Sequence, residues 1–183
     1  MARPLVSVFG SSRTPPGDPE WLAGERCGEL LARAGFAVAT GGYGGTMEAV
    51  SAGAARGGAP VVGITAPSVF PDRPGANRFV AEERAAATLV MRIGDLIESS
   101  AAVIALPGSL GTLTELVMAW NLAYVAPFNG TPVRPVVAVG PAWAELIPAV
   151  AARIAADPSL VTCVATVEEA VAAVVAGMPG EGG

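Results

Sequence analysis

The chain of 183 residues contains no lysine and no histidine, so all 11 of its basic residues are arginine. Without lysine, the protein cannot form the internal Schiff base of a pyridoxal phosphate enzyme, and it has no Walker-type phosphate lysine. Without histidine, it has no imidazole base, no Ser-His-Asp triad and no histidine-ligated zinc. We therefore expect its chemistry to use carboxylates, arginine, hydroxyls, backbone amides or a bound cofactor.

Cysteine is scarce as well, with two residues in the chain. Cys27 and Cys163 lie far apart in apolar surroundings and outside any CxxC motif, which favours buried free thiols in a reducing compartment and no metal site. The sequence has no uninterrupted apolar run of about 20 residues to span a bilayer, and no signal-peptide pattern at its start. The expected location is the cytoplasm, away from membranes.

Positive charge is sparse. The net charge is −5, and the arginines are scattered along the chain. A nucleic acid polymer is bound by a basic stripe, so we expect no such partner. With 52% hydrophobic residues, the chain is long enough for one well-filled domain. We predict a single domain over residues 1–176 and a flexible tail over residues 177–183.

Short β-branched runs alternate with amphipathic segments along the chain. The pattern predicts strands at residues 5–9, 36–39, 61–65, 102–106, 136–139 and 161–165. It predicts helices at residues 19–34, 46–56, 89–99, 142–156 and 167–176, and one more after residue 110. A further short strand within residues 79–89 is left open. This alternation indicates an α/β fold, a Rossmann-like three-layer sandwich with a mostly parallel sheet.

The segment 102–120 is an apolar strand, a Pro-Gly turn and a helix that carries Glu115. In a parallel sheet, the carboxyl ends of the strands face the ligand crevice, and the next helix points free N–H groups into it. We therefore expect this turn to bind phosphate through its backbone amides and hydroxyls. The predicted phosphate-binding residues of the turn are Pro107, Gly108, Ser109, Gly111 and Thr112.

Glu115 and Arg92 are the candidate catalytic residues. Glu115 lies about one helical turn beyond the loop, where its carboxylate can accept ribose hydroxyls, act as a base or stabilise an oxocarbenium-like centre. Arg92 precedes the strand by one helix, and its guanidinium can orient both a carboxylate and a phosphate. The alternative is structural, with Glu115 capping its helix or pairing with Arg92 without a catalytic role.

Two other turns follow predicted strands. Glycines at the end of a strand let a ligand approach the main chain closely, although a flexible turn would look the same. The predicted nucleotide-binding residues of these turns are Gly10, Ser11, Gly42, Gly44, Gly45 and Thr46. The Pro-rich segment 66–77 has a length typical of lids and binding loops, and Arg73 and Arg78 in or beside it either reach an anionic ligand or remain solvated.

The residues 107–115, PGSLGTLTE, resemble the PGGxGTxxE signature of the LOG (LONELY GUY) family. Arg92 matches the arginine that this family carries in the preceding helix. The stretches 8–12 and 41–47 also have counterparts there, so the resemblance covers residues 5–139. Ser109 replaces the second glycine, Ile93 replaces a basic residue, and Glu48 stands where the family often has glycine.

The resemblance implies a Rossmann-like enzyme without a cofactor that hydrolyses a nucleoside 5′-monophosphate to free base and ribose 5-phosphate. It also includes a related branch that carries molybdenum cofactor, so a non-catalytic carrier of a phosphorylated small molecule is the alternative. Relatives of this fold commonly form dimers, so a homodimer or a higher homo-oligomer is expected, and the apolar helix around Leu116, Val117, Trp120 and Tyr124 is the candidate surface. Core packing of that helix is the competing interpretation.

Overall fold

The computed structural model describes residues 3–73 and 75–178. This part of the chain forms seven strands, six helices and two short 3-10 turns, and a helix follows each strand except β3. The strands are β1 Leu5–Phe9, β2 Ala37–Thr40, β3 Val61–Thr65, β4 Glu82–Ala85, β5 Ala102–Ala105, β6 Val136–Val139 and β7 Thr162–Val164. The helices are α1 Pro19–Arg33, α2 Thr46–Arg56, α3 Leu89–Glu98, α4 Leu110–Val125, α5 Pro141–Ile154 and α6 Val167–Gly177.

The strands form one sheet in the order β4-β3-β2-β1-β5-β6-β7, and every neighbouring pair is parallel. The chain builds the sheet outward from β1 in one direction and then returns to β5 on its other side. The order therefore reverses between β1 and β5, and the carboxyl ends of these two strands flank the crevice in which such sheets bind ligands. The Rossmann-like α/β fold predicted from the sequence is confirmed.

Each face of the sheet is covered by three helices, which makes three layers. Helices α1, α2 and α6 pack on the face that carries Val6 and Val8 of β1, and α3, α4 and α5 pack on the face that carries Phe9. Alternate residues of a strand point to opposite faces, so both sides of this central strand are buried.

The short strand that the sequence left undecided within residues 79–89 is the edge strand β4. Its four residues are exposed and are charged or small. Charged side chains on an edge strand discourage pairing with another chain.

The predicted tail starts at residue 177, where α6 ends, and residues 179–183 lie outside the described part. Within the described residues, none of the helices is both long and apolar enough to cross a bilayer. Cys27 and Cys163 are free thiols, the first buried and the second half-buried.

Candidate functional site

Arg92 is held across the carboxyl ends of β2 and β3. Its place on the inward face of α3 leaves 6% of its surface exposed. The guanidinium donates through Nε to the Ile64 carbonyl at 2.8 Å and through Nη2 to the Gly41 carbonyl at 3.1 Å. Its Nη1 faces Glu115 Oε1 at 3.4 Å. Because a guanidinium is planar and rigid, these contacts fix both its position and its orientation.

Glu115 lies on the inward face of α4, with 8% of its surface exposed. Burial raises the pKa of its carboxyl from 4.5 to about 7, because the charged form loses hydration, and Arg92 acts in the opposite sense. Burial also lowers the pKa of Arg92, while the carboxylate of Glu115 raises it. The attraction between the two charges thus offsets part of the hydration that each group loses on burial.

The N-terminus of α4 faces the same region without a side-chain cap. Its N-cap residue, Ser109, makes no capping hydrogen bond. The Thr112 side chain in the first turn is buried, and its Oγ1 has no hydrogen-bond partner among the residues that the structure describes. Free amides at a helix start and an unpartnered buried hydroxyl are groups that a bound anion satisfies.

These groups line one cleft of about 280 Å³ between the ends of β1, β2 and β5. Its polar lining comprises Gly10, Ser12, Arg13, Gly41, Arg73, Arg92, Ser109, Gly111, Thr112, Thr114 and Glu115. A second cavity of about 790 Å³ opens beside it, and Ser12 and Arg73 line both. Of the residues predicted from the sequence, the cleft brings together Arg92, Glu115, Ser109, Gly111, Thr112 and Gly10.

Other candidate residues from the turns after β1 and β5 lie outside this cleft. Pro107, Gly108 and Ser11 line a neighbouring cavity of about 740 Å³ on the far side of the turn. Gly108 lies directly against the Thr112 side chain, so a larger residue there would displace the Thr112 hydroxyl. Its contribution to the cleft is therefore the room it leaves for Thr112.

The glycine-rich turn after β2 is only partly available to a ligand. Thr46 is buried, its amide donates to the Ser11 carbonyl at 2.8 Å, and its hydroxyl pairs with that of Thr14 at 3.0 Å. Gly45, with φ of +69°, packs against the Ser11 backbone. Gly42 supplies its carbonyl to Asn77, and Gly44 lines the larger cavity. Most polar groups of this turn are therefore bonded within the protein, so the turn mainly stabilises the wall of the cleft.

Tyr43 and Asn77 are functional neighbours that the sequence analysis missed. Tyr43 is buried, and its hydroxyl accepts a hydrogen bond from the Ala66 amide at 2.8 Å. Asn77 donates through its amide and its side chain to the Gly42 carbonyl at 2.7 and 3.0 Å. The one sequence signal for Tyr43 was its position among four glycines. A turn that needed only flexibility would not require an aromatic residue there.

The arrangement can hold a phosphate at the start of α4 and place a sugar beside a buried carboxylate. Three or more clustered cysteine, aspartate or glutamate side chains that could hold a metal do not occur in residues 3–73 and 75–178. Fold and site together define a Rossmann-like α/β protein with a small-ligand crevice at the reversal of its strand order.

The chain belongs to the SLOG cluster4 family, whose profile matches residues 3–126. It is 37% identical over 118 residues to a probable cytokinin riboside 5′-monophosphate phosphoribohydrolase of Oryza sativa subsp. japonica, covering 63% of this chain and 47% of that protein. It is 36% identical over 118 residues to the cytokinin riboside 5′-monophosphate phosphoribohydrolase of Arabidopsis thaliana, covering 63% and 54%. The match thus spans about half of each relative, and the resemblance to the LOG family is confirmed.

The fold is also that of a molybdenum cofactor binding protein from the phototrophic bacterium Rippkaea orientalis. The two structures superpose with a TM-score of 0.75 and 23% identity, over 96% of this chain and 98% of the other. Since the identity is low, this likeness concerns the fold.

Proposed function

We propose that the protein hydrolyses the N-glycosidic bond of a nucleoside 5′-monophosphate, releasing the free base and ribose 5-phosphate. The observation that carries this proposal is the buried Arg92–Glu115 pair beside an uncapped helix start with the unpartnered Thr112 hydroxyl. The plant relatives named as phosphoribohydrolases support the same reaction class.

The 5′-phosphate binds at the first turn of α4. The backbone there and the hydroxyls of Ser109 and Thr112 offer donors to the phosphate oxygens, and Gly10 at the end of β1 lines the same cleft. The cleft of about 280 Å³ holds the phosphate and the ribose, and the base extends toward the larger cavity beside Gly44.

Glu115 acts on the ribose. As a carboxylate, it accepts hydrogen bonds from the sugar hydroxyls and stabilises the positive charge that develops at C1′ as the bond to the base breaks. The bonding electron pair leaves with the base nitrogen. Water supplies hydroxide to C1′, and its remaining proton goes to the base, so the products are the base and ribose 5-phosphate.

Arg92 is a positioning residue in this mechanism. Its three contacts leave it no freedom to turn away, and its charge favours the ionised form of Glu115 against the effect of burial. Most of the rate gain then comes from a preset electrostatic environment and from orientation of the sugar.

The test is a screen of purine, pyrimidine and cytokinin riboside 5′-monophosphates for released base and ribose 5-phosphate. We expect turnover by the wild type, and a loss of about 10² to 10³-fold in kcat for Glu115→Gln, the range found for lost electrostatic groups. Circular dichroism and thermal unfolding of the variant establish that its fold is intact. Turnover unchanged by Glu115→Gln would refute the proposed role of this residue.

The screen also separates an enzyme from a carrier. If the wild type binds monophosphates and releases base from none of them, the protein is a binding protein for a phosphorylated small molecule such as a nucleotide or molybdenum cofactor. That outcome would reject hydrolysis while leaving the phosphate site in place.

We further propose that the protein acts in the cytoplasm as a homodimer formed through the outer face of α4. Leu116 and Trp120 of the predicted surface are buried in the core, whereas Val117 and Tyr124 are 43% and 52% exposed. Met118 and Phe128 extend this outer face at 38% and 76% exposure. Apolar side chains grouped on one face are typical of contacts between subunits.

A further inference from the structure

Arg73 lines the same cleft as the start of α4. Its guanidinium carbon lies 4.2 Å from the centre of the Phe70 ring and 4.7 Å from that of Tyr43. Its Nη2 is 3.4 Å from the Ser12 hydroxyl. Stacking on two rings restricts a long side chain while leaving the N–H edges of the guanidinium free to donate.

The charge of Arg73 has no carboxylate partner among the described residues, even though Asp72 is its neighbour in sequence. Arg78, in the same segment, differs because it faces Glu48 at 3.9 Å. Arg92 is matched by Glu115, so Arg73 adds uncompensated positive charge to the cleft. Its field is also one of the causes that lower the pKa of Arg92.

The segment that carries Arg73 is tied to the glycine-rich turn on both sides of the arginine. Before it, the Ala66 amide donates to the Tyr43 hydroxyl at 2.8 Å, and after it, Asn77 donates to the carbonyls of Gly42 and Tyr43 at 3.0 Å. These bonds anchor the segment on both sides of Arg73, and stacking on Tyr43 and Phe70 restricts its side chain. A donor that is already positioned binds more tightly than one that must first be ordered.

We propose that Arg73 completes the phosphate subsite and makes the protein select phosphorylated ligands over their unphosphorylated counterparts. The phosphate lies between the start of α4 with Thr112 on one side and the guanidinium edge of Arg73 on the other, since both line the same cleft. A guanidinium binds two phosphate oxygens at once, which suits a terminal monophosphate. This inference rests on the proposed function, because it takes the ligand to be a nucleoside 5′-monophosphate.

The experiment compares wild type, Arg73→Ala, Arg73→Lys and Arg84→Ala by calorimetric titration with ribose 5-phosphate and, separately, with ribose. Arg84→Ala is the matched control, because it removes the same charge from the nearby strand β4 and lies outside both cavities. We expect Arg73→Ala to weaken ribose 5-phosphate binding about 10- to 100-fold, the effect of one charge-assisted hydrogen-bonded contact. Arg73→Lys should restore part of it, and Arg84→Ala should leave it within about twofold.

In hydrolysis assays, Arg73→Ala should raise KM for the monophosphate more than it lowers kcat. Equal affinity of wild type and Arg73→Ala for ribose 5-phosphate would overturn the inference, as would no measurable binding by the wild type. The proposed hydrolysis fails separately, if the wild type binds ribose 5-phosphate normally but cleaves none of the monophosphates.

Discussion

The oppositely charged side chains of Arg92 and Glu115 face each other while buried in the cleft. Burial disfavours the charged form of both side chains, and each is stabilised mainly by the other. Breaking such a pair by removing one partner leaves an uncompensated buried charge, which typically destabilises a protein by about 3–5 kcal/mol. Glu115→Gln removes the carboxylate charge but keeps an acceptor oxygen for Arg92, whose other donors stay bound to the Ile64 and Gly41 carbonyls, so we expect a destabilised but folded variant.

The raised pKa of Glu115 predicts a pH dependence of stability. Between pH 4.5 and about 7, the folded protein retains a proton at Glu115 that the unfolded chain releases, so the free energy of unfolding should fall as pH rises through this window and level off above it. Urea unfolding at pH 5, 6, 7 and 8 measures this fall.

Glu115→Gln is the control, because it removes the titrating group and leaves every other carboxyl in place. The fall between pH 5 and 7 should be smaller in the variant than in the wild type. Parallel curves for the two proteins would show that Glu115 titrates at its ordinary pKa.

At the scale of elements, the turn after β2 fixes the position of Arg92 on α3. Gly41 supplies a carbonyl to the guanidinium, and a Cβ at this position would overlap Arg92 Nη2 and approach Met47 Sδ to 2.6 Å. The end of a flexible side chain ordinarily moves aside, but this one is held by the carbonyls of Ile64 and Gly41 and by Glu115. The absence of a side chain at Gly41 is therefore a requirement of the site.

Gly41→Ala should displace the guanidinium and lower kcat/KM for the monophosphate by at least about tenfold, while the protein stays folded. Gly94→Ala serves as the control, because a Cβ at Gly94 on α3 meets no atom within 4 Å. That variant should keep full activity and gain up to about 1 kcal/mol of stability from its better helix propensity. Steady-state kinetics with thermal unfolding checks both, and equal kinetics of the two variants would contradict the argument.

At the scale of the whole molecule, α4 connects the site with the proposed subunit interface. Its inner face carries Thr112 and Glu115, and its outer face carries the exposed Val117 and Tyr124. Burial of such an apolar face against a second copy is favourable by about 25 cal/mol per Å². The two faces belong to one rigid helix, so assembly and the site share a structural element.

We predict that Val117→Glu converts the dimer to a monomer, because association would bury an unpaired carboxylate. The control is Val175→Glu on α6, a site that is 50% exposed on the opposite layer of the sandwich. Sedimentation velocity at micromolar concentration distinguishes the two states. A monomeric wild type, or a dimer that survives Val117→Glu, would rule out this interface.

Much of the fold could be predicted because its signals are local. The β-branched runs ending in glycine or proline and the Thr166 cap marked most element boundaries to within one or two residues. The edge strand β4 could not be assigned, since its charged residues EERA have neither a buried run nor strict alternation. Its existence depends on pairing with β3, which is a tertiary contact.

The sequence by itself determined the succession of strands, turns and helices apart from β4, the exclusion of lysine and histidine chemistry, and the turn before the helix that carries Glu115, because these follow from residue types and short spacings. Only the tertiary structure decided which groups share the cleft. Arg92 meets partners 23 to 51 residues away, Thr46 turns its polar groups inward, and Arg73 rather than Arg78 faces both cavities. Such choices depend on how the ends of separate strands are brought together, and local periodicity carries no information about that.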